Sequence, residues 1–148
     1  VSGTWTATPT GTGGLESGAA SVVATADQGV GSQTVFLTAT DILTTTLDCN
    51  GFPLLLSATV TAEGSLSARD VTFELVWDGS TQLSRTFTPV GDSNQPGNPW
   101  GMYGTLLQFV VASPGTGTKT AKLVATGSHA SNAVTVSKCN LYCEAKKR

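Results

Sequence analysis

The chain has 148 residues, a net charge of −2 and only 12% charged residues, about half the ~25% of an average soluble domain. That length suits one domain, and 39% hydrophobic residues suffice for a core. So acidic a balance leaves no basic face to grip nucleic-acid phosphates, and no apolar run approaches the ~18 residues of a membrane span. The 24 Thr, 17 Gly, 14 Ser and 14 Val, against one His and one Met, disfavour helices and suit strands joined by turns.

Residues 1–18 read VSGTWTATPTGTGGLESG, with Trp5 and Leu15 the only sizeable apolar side chains. A Thr/Gly-rich segment cannot bury itself, so it is expected to be an extended N-terminal arm, with Trp5 and Leu15 as anchors docking on a partner. The alternative is that Trp5 folds back on its own domain. No charged stretch followed by an apolar one opens the chain, so no signal peptide is read. The expectation is a protein made in a cytoplasm without an export signal, or else a processed fragment. Residues 19–148 are expected to form one domain.

From Ala19 onward, strand signals alternate with turns. Ser21 to Ala26 is a short first strand, and Gln33 to Leu43 a second, with Val35, Leu37 and Ala39 on one face. Leu47 to Gly51 is turn-like. Phe52 to Ala62 carries Leu54, Leu56, Ala58 and Val60 on one face, with Pro53 at its start. Val71 to Trp77 alternates with period two, inward at Val71, Phe73, Leu75 and Trp77. Asp78-Gly79-Ser80 then marks a hairpin turn, and Thr81 to Pro89 returns. Gly91 to Gly101 is the longest loop. Met102 to Ala112 is a strand, Ser113 to Thr118 a turn, and Lys119 to Thr126, Ala133 to Ser137 and Asn140 to Ala145 the last strands. Apolar parity flips between Val134/Val136 and Cys139/Leu141/Cys143, which implies a bulge or tight turn near Ser137-Lys138. Eight or nine short strands without a helical period point to an all-β, two-sheet antiparallel sandwich of jelly-roll type.

Chemistry is hard to find in this sequence. The only histidine, His129, sits in a polar loop, and no serine lies in a G-x-S-x-G motif. The acids Asp41, Asp48, Asp78 and Asp92 fall at strand ends or turns, where backbone capping alone favours them, and Glu74 lies on an outward strand face. Gly11-Thr12-Gly13-Gly14 has no following helix or Lys to hold a phosphate. One carboxylate in Asp92-Ser93-Asn94 is too few for a tight calcium site. The reading is therefore not an enzyme, with no cofactor and no metal.

The three cysteines are Cys49, Cys139 and Cys143. On one strand, Cys139 and Cys143 lie about 13 Å apart on the same face, beyond the roughly 7 Å between Cα atoms that a disulfide spans. Cys49 can reach either, and small buried thiols are the plainer reading. A zinc site would need a fourth ligand, for which only His129 is available, and the chain has no CxxC pair. Trp100, Met102 and Tyr103 flank the long loop and are candidates for a ligand or contact loop, because exposed aromatics stack on sugars and peptides. Trp100 as a plug at one end of the core is the alternative.

The C-terminal third, GTGTKTAKLVAT, then a loop, then VTVSKCNLYCEAKKR, resembles the closing strands of jelly-roll proteins from tailed-phage virions: capsid decoration (cement) proteins, head fibres and tail-tip knobs. Leu54-Leu55-Leu56, Val71 to Trp77 and Asp78-Gly79 fit the same plan, which is also similar to tumour-necrosis-factor-like trimeric knobs. Over residues 20–148 the resemblance implies a structural virion protein, most specifically a homotrimer that decorates a capsid by binding the major capsid protein or another virion protein. The alternative it implies is a receptor- or carbohydrate-binding knob of a tail or fibre. Either role places the chain in the virion.

Overall fold

In the computed structural model, residues 21–64, 70–88, 100–131 and 133–146 are described, with side chains for all of these except Ser21, Val22, Trp100 and Lys146. Nine strands follow one another: β1 (Ser21–Asp27), β2 (Ser32–Val35), β3 (Thr40–Asn50), β4 (Leu54–Gly64), β5 (Val71–Trp77), β6 (Ser80–Phe87), β7 (Trp100–Val111), β8 (Thr116–Gly127) and β9 (Val134–Lys146). They form a five-stranded sheet in the order β1-β9-β4-β7, with β2 also on β9, and a four-stranded sheet in the order β3-β8-β5-β6. Every pairing is antiparallel. If β1 and β2 are counted as one interrupted strand, eight strands remain, and successive ones switch sheets except at the β5–β6 hairpin, the pattern of a jelly roll.

Alternation along each strand builds the core. β5 is buried at Val71, Phe73, Leu75 and Trp77 and half-buried between them. β4 contributes Leu54, Leu56, Ala58 and Val60, and β9 Val134, Val136, Cys139, Leu141 and Cys143. Burying each large side chain contributes roughly 1.5–3 kcal/mol. Phe73 meets Phe87 edge to face at 6.2 Å, which ties edge strand β6 to the core. At one end Trp77 donates its indole N–H to the Pro114 carbonyl at 3.1 Å, so a buried ring keeps its polar handle satisfied. Asp78 (φ 47°) and Gly79 (φ 82°) make the expected β5–β6 turn, both left-handed as a two-residue hairpin demands.

Several expected boundaries are corrected. Gln33 to Leu43 is not one strand: the chain breaks after Val35, where the Gly127 amide donates to the Phe36 carbonyl at 2.6 Å. Leu37 is exposed there, not on a buried face. Leu47 to Gly51 is not a turn; β3 runs to Asn50, because Asp48, Cys49 and Asn50 pair with Thr118, Gly117 and Thr116. Those pairings also start β8 at Thr116, inside the stretch read as a turn. Trp100 and Gly101, read as the end of a loop, belong to β7, paired with Gly64 and Glu63. The last two expected strands are one, β9, with a bulge where the parity flips. Thr59 pairs with Asn140 but Thr61 with Ser137, so β9 holds one extra residue, and Lys138 takes a φ of 50°.

Candidate interface on the outer face of the five-stranded sheet

A second bulge faces the first across β4. Val60 pairs with Thr105 but Ala62 with Met102, so β7 also carries an extra residue, and Gly104 has a φ of 58°. Both bulges flank Thr61. By parity Thr61 belongs to the outer face, yet it is only 4% exposed, and its hydroxyl accepts the Gly104 amide at 3.1 Å. On the β9 side the Gln28 side chain bridges the irregularity: its Nε2 donates to the Val136 carbonyl at 3.1 Å and its Oε1 accepts the Cys139 amide at 3.2 Å. The Gln28 amide donates to the Cys139 carbonyl at 2.9 Å. Backbone groups freed from the ladder are thus paired again, as buried polar groups must be.

The Gly104 bulge sets what β7 shows to solvent. Tyr103 faces out before it, and Leu106, Gln108 and Val110 face out after it, one residue out of step with simple alternation. Tyr103 is 67% exposed, Leu106 55% and Val110 59%. Leu55 pairs with Val110, Thr59 with Leu106 and Ser57 with Gln108, and Leu55 also pairs with Glu144, itself opposite the exposed Val23. The result is a sheet face of apolar and hydroxyl-bearing side chains that also carries Asp27, Glu63 and Glu144, the last bonded to the Tyr142 hydroxyl at 3.1 Å.

The outer face of the other sheet has a different chemistry. Lys119 pairs with Asp78 at 2.7 Å and Lys122 with Asp41 at 2.6 Å. Thr118 donates to Asp48, Thr72 and Thr86 share a 2.8 Å bond, and Thr81 donates to Glu74 at 3.4 Å. Exposed pairs of this kind are worth about 0–1 kcal/mol each; they mark a solvated surface. Among the described residues the five-stranded sheet is the one whose outer face shows large exposed apolar side chains, Val23, Leu106 and Val110, of the kind found in an interface core.

The residues singled out in the sequence are placed as follows. Met102 packs on the core from the start of β7 and Tyr103 follows it in the same strand; the two stand on opposite faces. The Tyr103 hydroxyl is bonded to Glu63, whose carboxylate pushes the phenol's pKa up. Trp5, Leu15 and Asp92-Ser93-Asn94 lie outside the described residues, as does the Trp100 side chain. Cys49, Cys139 and Cys143 are buried free thiols. Burial pushes Cys143 up to about 12, with a smaller contribution from Cys49, which faces it from the other sheet. Burial likewise raises Cys139, partly offset by the Thr61 backbone amide, and raises Cys49, against the nearby Lys119. His129 accepts the Ser131 amide at Nδ1 over 3.2 Å. Among the described residues no group of three His, Cys, Asp or Glu is placed to hold a metal ion, and no helix is long and apolar enough to cross a membrane.

This architecture defines the class: an antiparallel jelly-roll sandwich. It is similar to the crystal structure of the infectious bursal disease virus VP2 subviral particle, with a TM-score of 0.50 and 15% identity over 85% of this chain and 33% of that one. The structure of the Gx strain of the same virus is similar with a TM-score of 0.48 and 10% identity, over 85% of this chain and 33% of that one. The chain thus spans about a third of the length of the proteins it resembles. At such identity the likeness is one of fold. No protein-family model matches the sequence, and no curated protein matches it.

Proposed function

We propose that the protein is a structural virion protein, a capsid decoration protein that docks on a shell and ornaments or stiffens it. The jelly-roll sandwich, similar in fold to VP2 of a viral particle, supports this reading. A sheet face with Val23, Leu106 and Val110 exposed suits packing against repeated neighbours. In this reading residues 1–18 form the arm that meets the major capsid protein or another virion protein, with Trp5 and Leu15 as its anchors. Three copies are the assembly that the resemblance to phage decoration proteins implies. The test is rebinding to purified particles stripped of the chain. Wild-type protein should pellet with them and Trp5→Ala should stay in the supernatant; wild-type protein that fails to pellet contradicts the reading.

Tyr103 favours a second reading, a receptor- or carbohydrate-binding knob. Its ring is open to solvent, with the Glu63 carboxylate beside its hydroxyl, a pairing of stacking surface and acceptor that suits a sugar.

A further inference from the structure

We infer that β7 is a self-pairing edge: the stretch Thr105–Val111 hydrogen-bonds antiparallel to the same stretch of a second copy, about a two-fold axis at Gln108. Four observations lead there. First, β7 ends the five-stranded sheet, with β4 on one side and no described strand on the other. An edge strand leaves a row of backbone donors and acceptors open, and proteins usually blunt such edges with charge, proline or short length. β7 has twelve residues, WGMYGTLLQFVV, without a charge or a proline. Its one irregularity, the Gly104 bulge, ends the regular ladder at Thr105, so pairing is open to the seven residues from Thr105 to Val111.

Second, those seven residues are self-complementary. Their centre is Gln108, so a two-fold there sets Gln108 against its own copy, Leu106 against Val110, Leu107 against Phe109 and Thr105 against Val111. On the outer face the exposed Leu106 and Val110 then cover each other, flanked by a pair of amides. On the inner face the half-buried Phe109 meets the buried Leu107, so each core is extended by the other's edge. Cross-strand pairs of this kind stabilise sheets, and an isologous contact closes on itself.

Third, the electrostatics select this edge for self-contact. The chain is net acidic at −2, so two copies repel wherever their acids face each other. Both sheets present acids on their outer faces, Asp41, Asp48, Asp78 and Glu74 on one and Asp27, Glu63 and Glu144 on the other, whereas the edge stretch Thr105–Val111 brings no charge at all to its own copy. Fourth, β6, which ends the other sheet, carries Arg85 and is mostly polar on its exposed positions, which is the protection β7 lacks.

The pairing stands independently of a virion location and is tested in solution with the full chain by sedimentation velocity across a concentration series. Wild-type protein should reach twice the chain mass of 15.1 kDa. Leu106→Lys/Val110→Lys sets lysine against lysine across the axis and should sediment as a monomer with an unchanged circular dichroism spectrum, since both side chains are exposed. Leu106→Glu/Val110→Lys sets each glutamate against the partner's lysine and should restore the dimer, which high salt then dissociates. Gln108→Glu, a milder change at the axis, should weaken the dimer at neutral pH, and Thr46→Lys on the opposite sheet should leave it intact. A wild-type monomer at every concentration overturns the inference. So does a Leu106→Lys/Val110→Lys variant that keeps the wild-type mass, or a Glu/Lys variant that stays monomeric. A wild-type mass of three chains that these substitutions leave unchanged also overturns it, and supports the trimer instead.

Discussion

The Gly104 amide and the Thr61 hydroxyl meet at 3.1 Å, and this bond holds the bulge that turns Tyr103 and Leu106 to the same face of the sheet. Among the described residues Thr61 is the buried polar one, covered on the outer face of its sheet; it sits between bulges in both neighbouring strands and serves as acceptor to one of them. Thr61→Val keeps the shape and removes the acceptor, so the part-buried Gly104 amide loses its partner at a cost of about 1 kcal/mol. Urea denaturation should show that loss, with Thr61→Ser retaining most of the stability. Equal stability for the Thr61→Val and wild-type proteins would mean the bond does not hold the bulge.

The two left-handed positions beside Thr61 should respond with opposite signs. Gly104→Ala meets no atom within 4 Å, so its cost is that of the backbone alone, about 1 kcal/mol. Lys138→Gly relieves a side chain held at a φ of 50° and should stabilise by up to about 1 kcal/mol. Gly127→Ala should cost more than Gly104→Ala, because its Cβ would lie 3.1 Å from the Val35 and Phe36 carbonyl oxygens, which are fixed backbone. Thermal melts of the three variants check the order.

The buried thiols predict a pH dependence. Burial holds Cys143 up to about 12 and raises Cys49 and Cys139, whereas an unfolded cysteine titrates near 8.5. Raised folded values mean that this contribution is complete below about pH 8.5 and is lost as the pH climbs toward 12, because only the unfolded chain releases its protons early. Urea midpoints should therefore fall between pH 8.5 and 10, and fall less steeply in Cys143→Ala. A thiol reagent at pH 8 should leave native protein unlabelled and titrate all three cysteines after unfolding. Rapid native labelling of Cys143 would contradict the burial.

If the knob reading holds, Tyr103→Ala should abolish binding on a glycan array without changing the melt, since the ring is exposed. Unchanged binding removes Tyr103 from that role.

Much of the architecture is legible in the chain because local and global signals agree. Val71 to Trp77 alternates in sequence and in burial, Asp78-Gly79 supplies the two left-handed residues its turn needs, and the parity flip before Cys139 announces the bulge at Lys138. The misses have long-range causes. Asp48, Asn50 and Gly51 are turn formers, but β8 extends β3 through Asn50. Nothing around Phe36 foretells a break whose cause, Gly127, lies 91 positions on. The Gly104 bulge had a readable signal, since Met102 falls out of step with Leu107, Phe109 and Val111. The contrast between the two sheet faces had none, because it depends on which strands become neighbours.

The most direct measurement of the central claim is the copy number of this chain in purified particles, by quantitative mass spectrometry against the major shell protein. A structural virion subunit should appear at a fixed, high ratio that survives a density gradient; a trace amount that washes away through the gradient would contradict it.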